Sequence, residues 1–243
     1  MAFPGFIAIS QQMALLNKMD IVANNIANSD TPGFQAEQPL FAEYLDKASG
    51  SGTARAPAYV IDRGVFRDLR PGELTPTGNM LDMAIRGDGY FVVETAGGDT
   101  RYTRNGTFQL NASGQLVTSG GDLVLDDSNA PIVFAPDETD ILVSRDGSIA
   151  TENGIIAKIG VVIFANQQAM EKVGNTQLKT DQAPTKAKDF EVVQGVIERS
   201  NVRTVLEMTS MIQTMRGYQS AGKLVESENE RQKNAIRVLT QDV

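Results

Sequence analysis

The sequence predicts an α+β protein. Helices at the two chain ends form a coiled-coil-like bundle, and a central all-β domain of short antiparallel strands lies between them. Three observations carry this. From Ile9 to Ile26, and again from Val205 to Leu239, apolar residues recur at three- and four-residue steps, the period of an amphipathic helix. Between Ser200 and Leu239 there is no proline to stop a long helix. From Met80 to Phe164 the texture changes to short β-branched and aromatic runs divided by turn pairs.

The first segment, residues 1–34, is an axial helix with its stop. Ile9, Leu16, Met19, Ala23 and Ile26 share one stripe, and Met13, Leu15, Val22 and Ala27 widen it. The stop is Thr31-Pro32-Gly33-Phe34. Pro32 forbids helix at its own position and disfavours it at Thr31, Gly33 permits a positive φ, and Phe34 can fold back on the helix end. Asn24, Asn25 and Asn28 have two readings. Asparagines collect where helices fray and cap, and they also fix register when they bond across a helix bundle.

Residues 35–79 read as a connector that packs against a neighbour, since a free loop of that length is unusual. Leu40 to Leu45 suits a helical turn, Ser49-Gly50-Ser51-Gly52-Thr53 a flexible break, and Val60-Ile61 and Val65-Phe66 two short strands around Asp62-Arg63-Gly64. Residues 80–195 form the β-rich central domain. Its turn pairs are Asp88-Gly89, Asn105-Gly106, Ser113-Gly114, Gly120-Gly121, Asp146-Gly147 and Asn153-Gly154, the chemistry of tight hairpins. Residues 165–189 are polar, and Phe190 to Val193 is the last strand. Residues 196–243 are the C-terminal axial helix, packing with 1–34. Val205, Met208, Ile212 and Met215 set its stripe, Tyr218, Gly222 and Val225 continue it after a one-residue slip, and Ile236 and Leu239 close it. Because both ends of the β domain join helices, the molecule is expected to be elongated.

Composition excludes several functions. The chain has 243 residues, 41% of them hydrophobic, and a net charge of -8. That balance disfavours nucleic-acid binding and docking on an anionic membrane. With no cysteine and no histidine, disulfide frameworks, histidine triads and Cys/His zinc sites are impossible. No apolar run reaches the ~18 residues that cross a bilayer, and residues 1–10 lack the basic region of a secretory leader. Export without a cleaved signal peptide is therefore expected if the chain leaves the cytoplasm. The acidic clusters Asp126-Asp127 with Ser128-Asn129, and Asp137-Glu138 with Asp140, lack the ligand spacing of a calcium loop and read as turn and surface. Gly87-Asp88-Gly89 lacks the lysine of a phosphate loop and reads as a hairpin turn. Met208, Met211 and Met215 read as core or as an adaptable partner face. No cofactor or metal is expected.

Several blocks carry a family resemblance. They are Ala23 to Asn28 with Thr31 to Phe34; Pro76-Thr77-Gly78-Asn79 and Leu81 to Ile85 running into Gly87 to Phe91; Tyr102 to Gly106 with Phe108; and Gln194 to Val202 with Glu207-Met208, Met211-Ile212 and Arg216-Gly217-Tyr218. Together they resemble the flagellar axial proteins of the rod and hook class, over nearly the whole chain. Within the class the similarity is greatest to the proximal-rod type, with the distal-rod type second. The length, Val60-Ile61-Asp62, and Arg67-Asp68 before Gly72 favour the proximal type. Gly217 departs from the pattern, where alanine is expected, and glycine inside a helix costs ~1 kcal/mol relative to alanine.

The resemblance implies a structural, non-enzymatic subunit of the basal-body rod in the periplasmic space. Its partners would be other copies of itself, other rod proteins and the flagellar type III export apparatus. It tips the asparagine block toward register fixing and implies an assembly interface along Ile9, Leu16, Met19, Ala23, Asn24, Asn25, Ile26, Asn28, Val205, Met208, Ile212, Met215, Tyr218, Val225, Ile236 and Leu239. Ordering of the terminal helices is expected to couple to polymerisation, since a lone amphipathic helix is marginal in water. The alternative of another class is a cell-wall hydrolase working with two carboxylates. The absence of tryptophan and the presence of only 5 tyrosines leave it few platforms for sugar stacking.

Overall fold

A computed structural model of the chain describes residues 4–45, 58–136, 138, 140–174 and 176–241. These fall into two compact units, one drawn from Met1–Ala27, Glu37–Asp68 and Arg203–Val243, the other from Asn28–Ala36 and Leu69–Val202.

The first unit holds helix α1 (Pro4–Ala27), strands β1 (Glu37–Leu45) and β2 (Ala58–Arg67), and helix α2 (Thr204–Gln241). Glu207 lies in the first turn of α2, where a negative charge suits the helix dipole. Leu15 lies beside Gly217 and Gln12 beside Gly222, so the helices run antiparallel.

β1 pairs antiparallel with β2 from Glu37↔Arg67 to Leu45↔Ala58. This corrects two expectations for the connector. Leu40 to Leu45 is strand, not a helical turn, because pairing with β2 decides the conformation of a short apolar segment. Val60 to Phe66 is one strand, and its irregularity is absorbed as a bulge where the register shifts between Pro39 and Phe41. The Ser49 to Thr53 break lies outside the described residues.

The second unit is built of antiparallel strands. β3 (Leu74–Pro76) pairs with β18 (Val196–Glu198), and β4 (Met83–Gly87) with β17 (Phe190–Gln194). The largest sheet runs β14 (Glu171–Val173), β15 (Gln177–Lys179), β6 (Thr100–Thr103), β5 (Tyr90–Glu94), β9 (Leu123–Val124), β8 (Leu116–Thr118), β7 (Phe108–Leu110). β13 (Val161–Ile163) also pairs with β5 and carries β16 (Thr185–Lys186). A separate sheet runs β10 (Leu142–Val143), β11 (Ser148–Thr151), β12 (Gly154–Lys158).

β5 shows why its sequence is a continuous apolar run. Phe91 and Val93 point into a core with Met83, Ile85, Phe108, Leu116 and Ile149. Tyr90 and Val92, on the opposite face, fill a second core with Tyr102, Leu125, Phe164 and Leu178. A strand buried on both faces cannot alternate. Phe91 meets Phe108 edge to face at 5.2 Å, and Tyr102 meets Phe164 at 4.6 Å.

Four of the expected turn pairs close hairpins: Ser113-Gly114, Gly120-Gly121, Asp146-Gly147 and Asn153-Gly154 join strands that pair directly. Asp88-Gly89 and Asn105-Gly106 do not. β4 and β5 part into different sheets, and β6 and β7 share a sheet without pairing: β6 lies between β15 and β5, and β7 pairs with β8. The polar stretch 165–189 contains β14, β15 and β16, and Phe190 to Val193 is followed by one more strand, β18. The carboxylate of Asp126 accepts the N–H groups of Ser128 and Ala130, so that acidic cluster builds a turn.

Candidate functional site

In the helical unit, burial resolves the apolar pattern into two stripes per helix. On α1, Ala8, Gln12, Leu15, Met19, Val22 and Ile26 are buried or half-buried at alternating steps of four and three. On α2, Met211, Thr214, Tyr218, Ala221 and Val225 follow the same steps. Leu15 and Gln12 come against the α2 backbone at Gly217 and Gly222, which puts these stripes on the seam side of the two helices, where α1 also packs on β1 and β2. A second stripe on each helix is left outside. On α1 it is Ile9, Met13, Leu16 and Ala23, and on α2 Val205, Met208, Ile212 and Met215. Val205 is 76% exposed and Met208 and Ile212 are 53% exposed.

The sequence-predicted interface is thereby divided. Met19, Ile26, Tyr218 and Val225 belong to the seam; Ile9, Leu16, Ala23, Val205, Met208, Ile212 and Met215 face outward. The one-residue slip after Met215 marks where the sequence crosses from the outer stripe to the seam. The side chains of Ile236 and Leu239 lie outside the described residues. Asn24 is exposed. Asn25 is buried and works locally: its Nδ2 donates to the carbonyl of Glu37 at 2.8 Å and its Oδ1 accepts the N–H of Glu37 at 3.0 Å. Asn28, also buried, accepts the hydroxyl of Thr31 at 3.2 Å.

The second unit contains the segments that follow α1 and precede α2 in the chain, and it ties them together. Gly33 N–H donates to the carbonyl of Glu198 at 2.8 Å, and Ala36 N–H to Oδ1 of Asn201 at 2.7 Å. Nδ2 of Asn201 donates to the carbonyl of Arg70 at 2.8 Å. Arg199 reaches Asp30 at 3.0 Å on the surface. Phe34 is buried, with the ammonium of Lys172 4.1 Å from its ring centre. Gly33 has φ +70°, and a Cβ there would lie 2.3 Å from the backbone nitrogen of Asn105. Only glycine meets both conditions. The stop motif is thus a plug in the β-rich unit as well as a helix terminator.

Beneath the plug lies a buried ion pair. Oε2 of Glu198 accepts from Nε and Nη2 of Arg104 at 2.9 and 2.7 Å. Oε1 accepts the N–H of Gly72 at 3.0 Å. Arg104 also donates to the carbonyls of Ile85, Gly87 and Gly89. The Gly87-Asp88-Gly89 turn is therefore held by a guanidinium rather than by a hairpin ladder. Both charges are fully hydrogen-bonded, the condition under which a buried pair is tolerated. Arg104, Glu198 and Asn201 were not among the residues expected to carry function. The available signal was that two resemblance blocks 94 residues apart in the chain carry one arginine and one glutamate.

Two antiparallel helices that each keep an apolar stripe in water have the surface of a chain that packs with others. Residues 7–35 match the family described as flagella basal body rod protein. Residues 84–151 match the flagellar hook protein FlgE/F/G D1 domain, and residues 193–238 the C-terminal part of flagellar basal body rod FlgEFG proteins. The chain is 35% identical over 237 residues to the flagellar basal-body rod protein FlgF of Caulobacter vibrioides, covering 96% of each. It is 32% identical to FlgF of Mesorhizobium japonicum, again over 96% of each, and 30% identical to FlgG of Bacillus subtilis over 91% of this chain and 93% of the relative. The chain belongs to the flagellar basal-body rod protein family.

Proposed function

We propose that the chain is a structural subunit of the rod, of the proximal type, and that it polymerises through the outer stripes of α1 and α2 with other copies and other rod proteins. The observation that carries this is the division of the helix faces. The seam already provides each helix with a partner, so the outer stripe is surplus to the single chain. Contiguous exposed apolar surface of that kind marks a protein contact. Likeness to FlgF over the full length, at higher identity than to FlgG, supports the proximal type. Heterologous contacts that do not close generate a helical filament, which transmits torque as a shaft across the periplasm. Passage through the flagellar export apparatus as an unfolded chain suits a sequence without cysteine.

The hydrolase reading has no support from the carboxylates. A glycosidase needs one acid held above its ordinary pKa. The displaced carboxyls among the described residues are all held below it. The N–H of Ala135 and then the hydroxyl of Thr151 lower Glu138. The hydroxyl and then the N–H of Ser148 lower Asp146, and Arg231 lowers Glu228.

The test is Met208→Asp with Ile212→Asp. Both side chains are already largely in water, so the free chain keeps its melting temperature. A carboxylate at a buried contact is costly, so cells carrying the variant lack complete rods in electron micrographs of basal bodies and do not swim. Complete rods and normal motility would refute the proposal.

A further inference from the structure

The outer stripes carry sulfur. The chain has no cysteine, no histidine and no tryptophan. Methionine is then the side chain that a two-electron oxidant attacks first, at the thioether sulfur. The described methionines differ in how far an oxidant can reach them. Met83 and Met170 are buried in the two cores of the β-rich unit. Met19 and Met211 are half-buried on the seam side of α1 and α2. Met13, Met208 and Met215 stand in the outer stripes, 64%, 53% and 45% exposed. Met80 is exposed in the β-rich unit. Met208, Ile212 and Met215 follow one another at steps of four and three, so they share one row of α2, and Met13 lies between Ile9 and Leu16 in the row of α1.

We propose that Met13, Met208 and Met215 are a redox-controlled modification site: a peroxide converts them to sulfoxides in the free chain, the oxidised chain cannot join the rod, and reduction restores it. The inference rests on the rod-subunit reading. In the oxidation the sulfur lone pair attacks one peroxide oxygen, and the S–O bond forms as the O–O bond breaks. Sulfur loses two electrons, and the second oxygen leaves as hydroxide and takes the proton of the transferred oxygen, giving water. A dithiol, acting through a methionine sulfoxide reductase, removes the oxygen as water and becomes a disulfide. The sulfoxide oxygen is a polar acceptor. In water it is hydrated, so the free chain keeps its fold. In a contact lined by Ile9, Leu16, Val205 and Ile212 it meets no side-chain donor, and burying it there is costly. Copies already assembled have the stripe covered and are shielded. The modification therefore acts on the incoming chain and spares the finished rod.

The first measurement exposes the purified chain to hydrogen peroxide and maps sulfoxides by mass spectrometry. Met13, Met208 and Met215 convert at rates close to that of Met80 and several-fold faster than Met83 and Met170. Stripe methionines that convert as slowly as Met83 overturn the proposal. In isolated basal bodies given the same treatment, the three stay as sulfides. Equal conversion in free and assembled chain overturns the proposal and leaves the chain a rod component, whereas absence of the chain from basal bodies overturns the rod-subunit reading itself. The second measurement uses cells without methionine sulfoxide reductases that build rods in the presence of peroxide. Leucine keeps the size and apolarity of methionine, so Met13→Leu with Met208→Leu and Met215→Leu preserves the contact and removes the sulfur. Cells with the unsubstituted chain form several-fold fewer complete rods than cells with the variant, and the difference disappears when the reductases are restored. Equal rod numbers in the two strains under peroxide overturn the proposal.

Discussion

Glu198 is 3% exposed and Arg104 7%, and each is the other's charge partner. Truncating one member of a buried pair leaves an uncompensated ion, which costs about 3–5 kcal/mol. Glu198→Ala is therefore expected to destabilise the β-rich unit by about that amount, read from the denaturant midpoint of the free chain. It also leaves the N–H of Gly72 without its acceptor. Arg199→Ala, a few ångströms along the chain but in an exposed pair, is expected to change stability by less than about 1 kcal/mol. Equal effects from the two substitutions would show that the buried pair contributes no more than the surface one.

At the scale of the element, the α1–α2 seam is unusual in placing glycine where neighbouring helix turns touch. A Cβ at Gly217 would lie 3.4 Å from Cδ1 of Leu15, ordinary van der Waals contact. Gly217→Ala is then compatible with the seam, removes the helix penalty of glycine, and is expected to stabilise α2 by about 0.5–1 kcal/mol. Circular dichroism at 222 nm against temperature reads this directly. A loss of stability would mean that the helices need a closer approach than alanine allows. The stop motif teaches a related lesson: Pro32 ends a helix wherever it stands, whereas Gly33 is required by the backbone of Asn105, which no local pattern reveals.

For the whole molecule, the sequence led to the expectation that the terminal segments order only on assembly. The structure shows both as helices with a shared seam, so each has a partner within the chain. That seam is narrow and built partly of small residues, and one apolar stripe per helix remains in water. Amide exchange on the free chain should be slowest in β4, β5 and β6, and measurably faster in α1 and α2. In assembled rods the gain in protection should concentrate around Ile9 to Leu16 and Val205 to Met215. Helices as slow to exchange in the free chain as β5, with no gain on assembly, would leave the outer stripes without a role.

The period of the apolar residues was enough to determine two terminal helices, because helix geometry repeats every 3.6 residues whatever surrounds it, while turn pairs between β-branched runs marked the strand-rich middle and Pro32-Gly33 the helix stop. The blocks from Ala23 to Phe34, Leu81 to Phe91 and Gln194 to Val202 were enough for the family. Tertiary structure alone decided which of two neighbouring stripes becomes seam and which stays outside, since Leu15 and Leu16 differ by one position and only a facing helix tells them apart. It alone parted β4 from β5 across an Asp-Gly turn, and recruited Leu40 to Leu45 into a strand. It alone brought Arg104 to Glu198 and Asn201 to Ala36. Such pairings join residues far apart in the chain, and their free energy exists only once the intervening strands have folded and excluded water from between them.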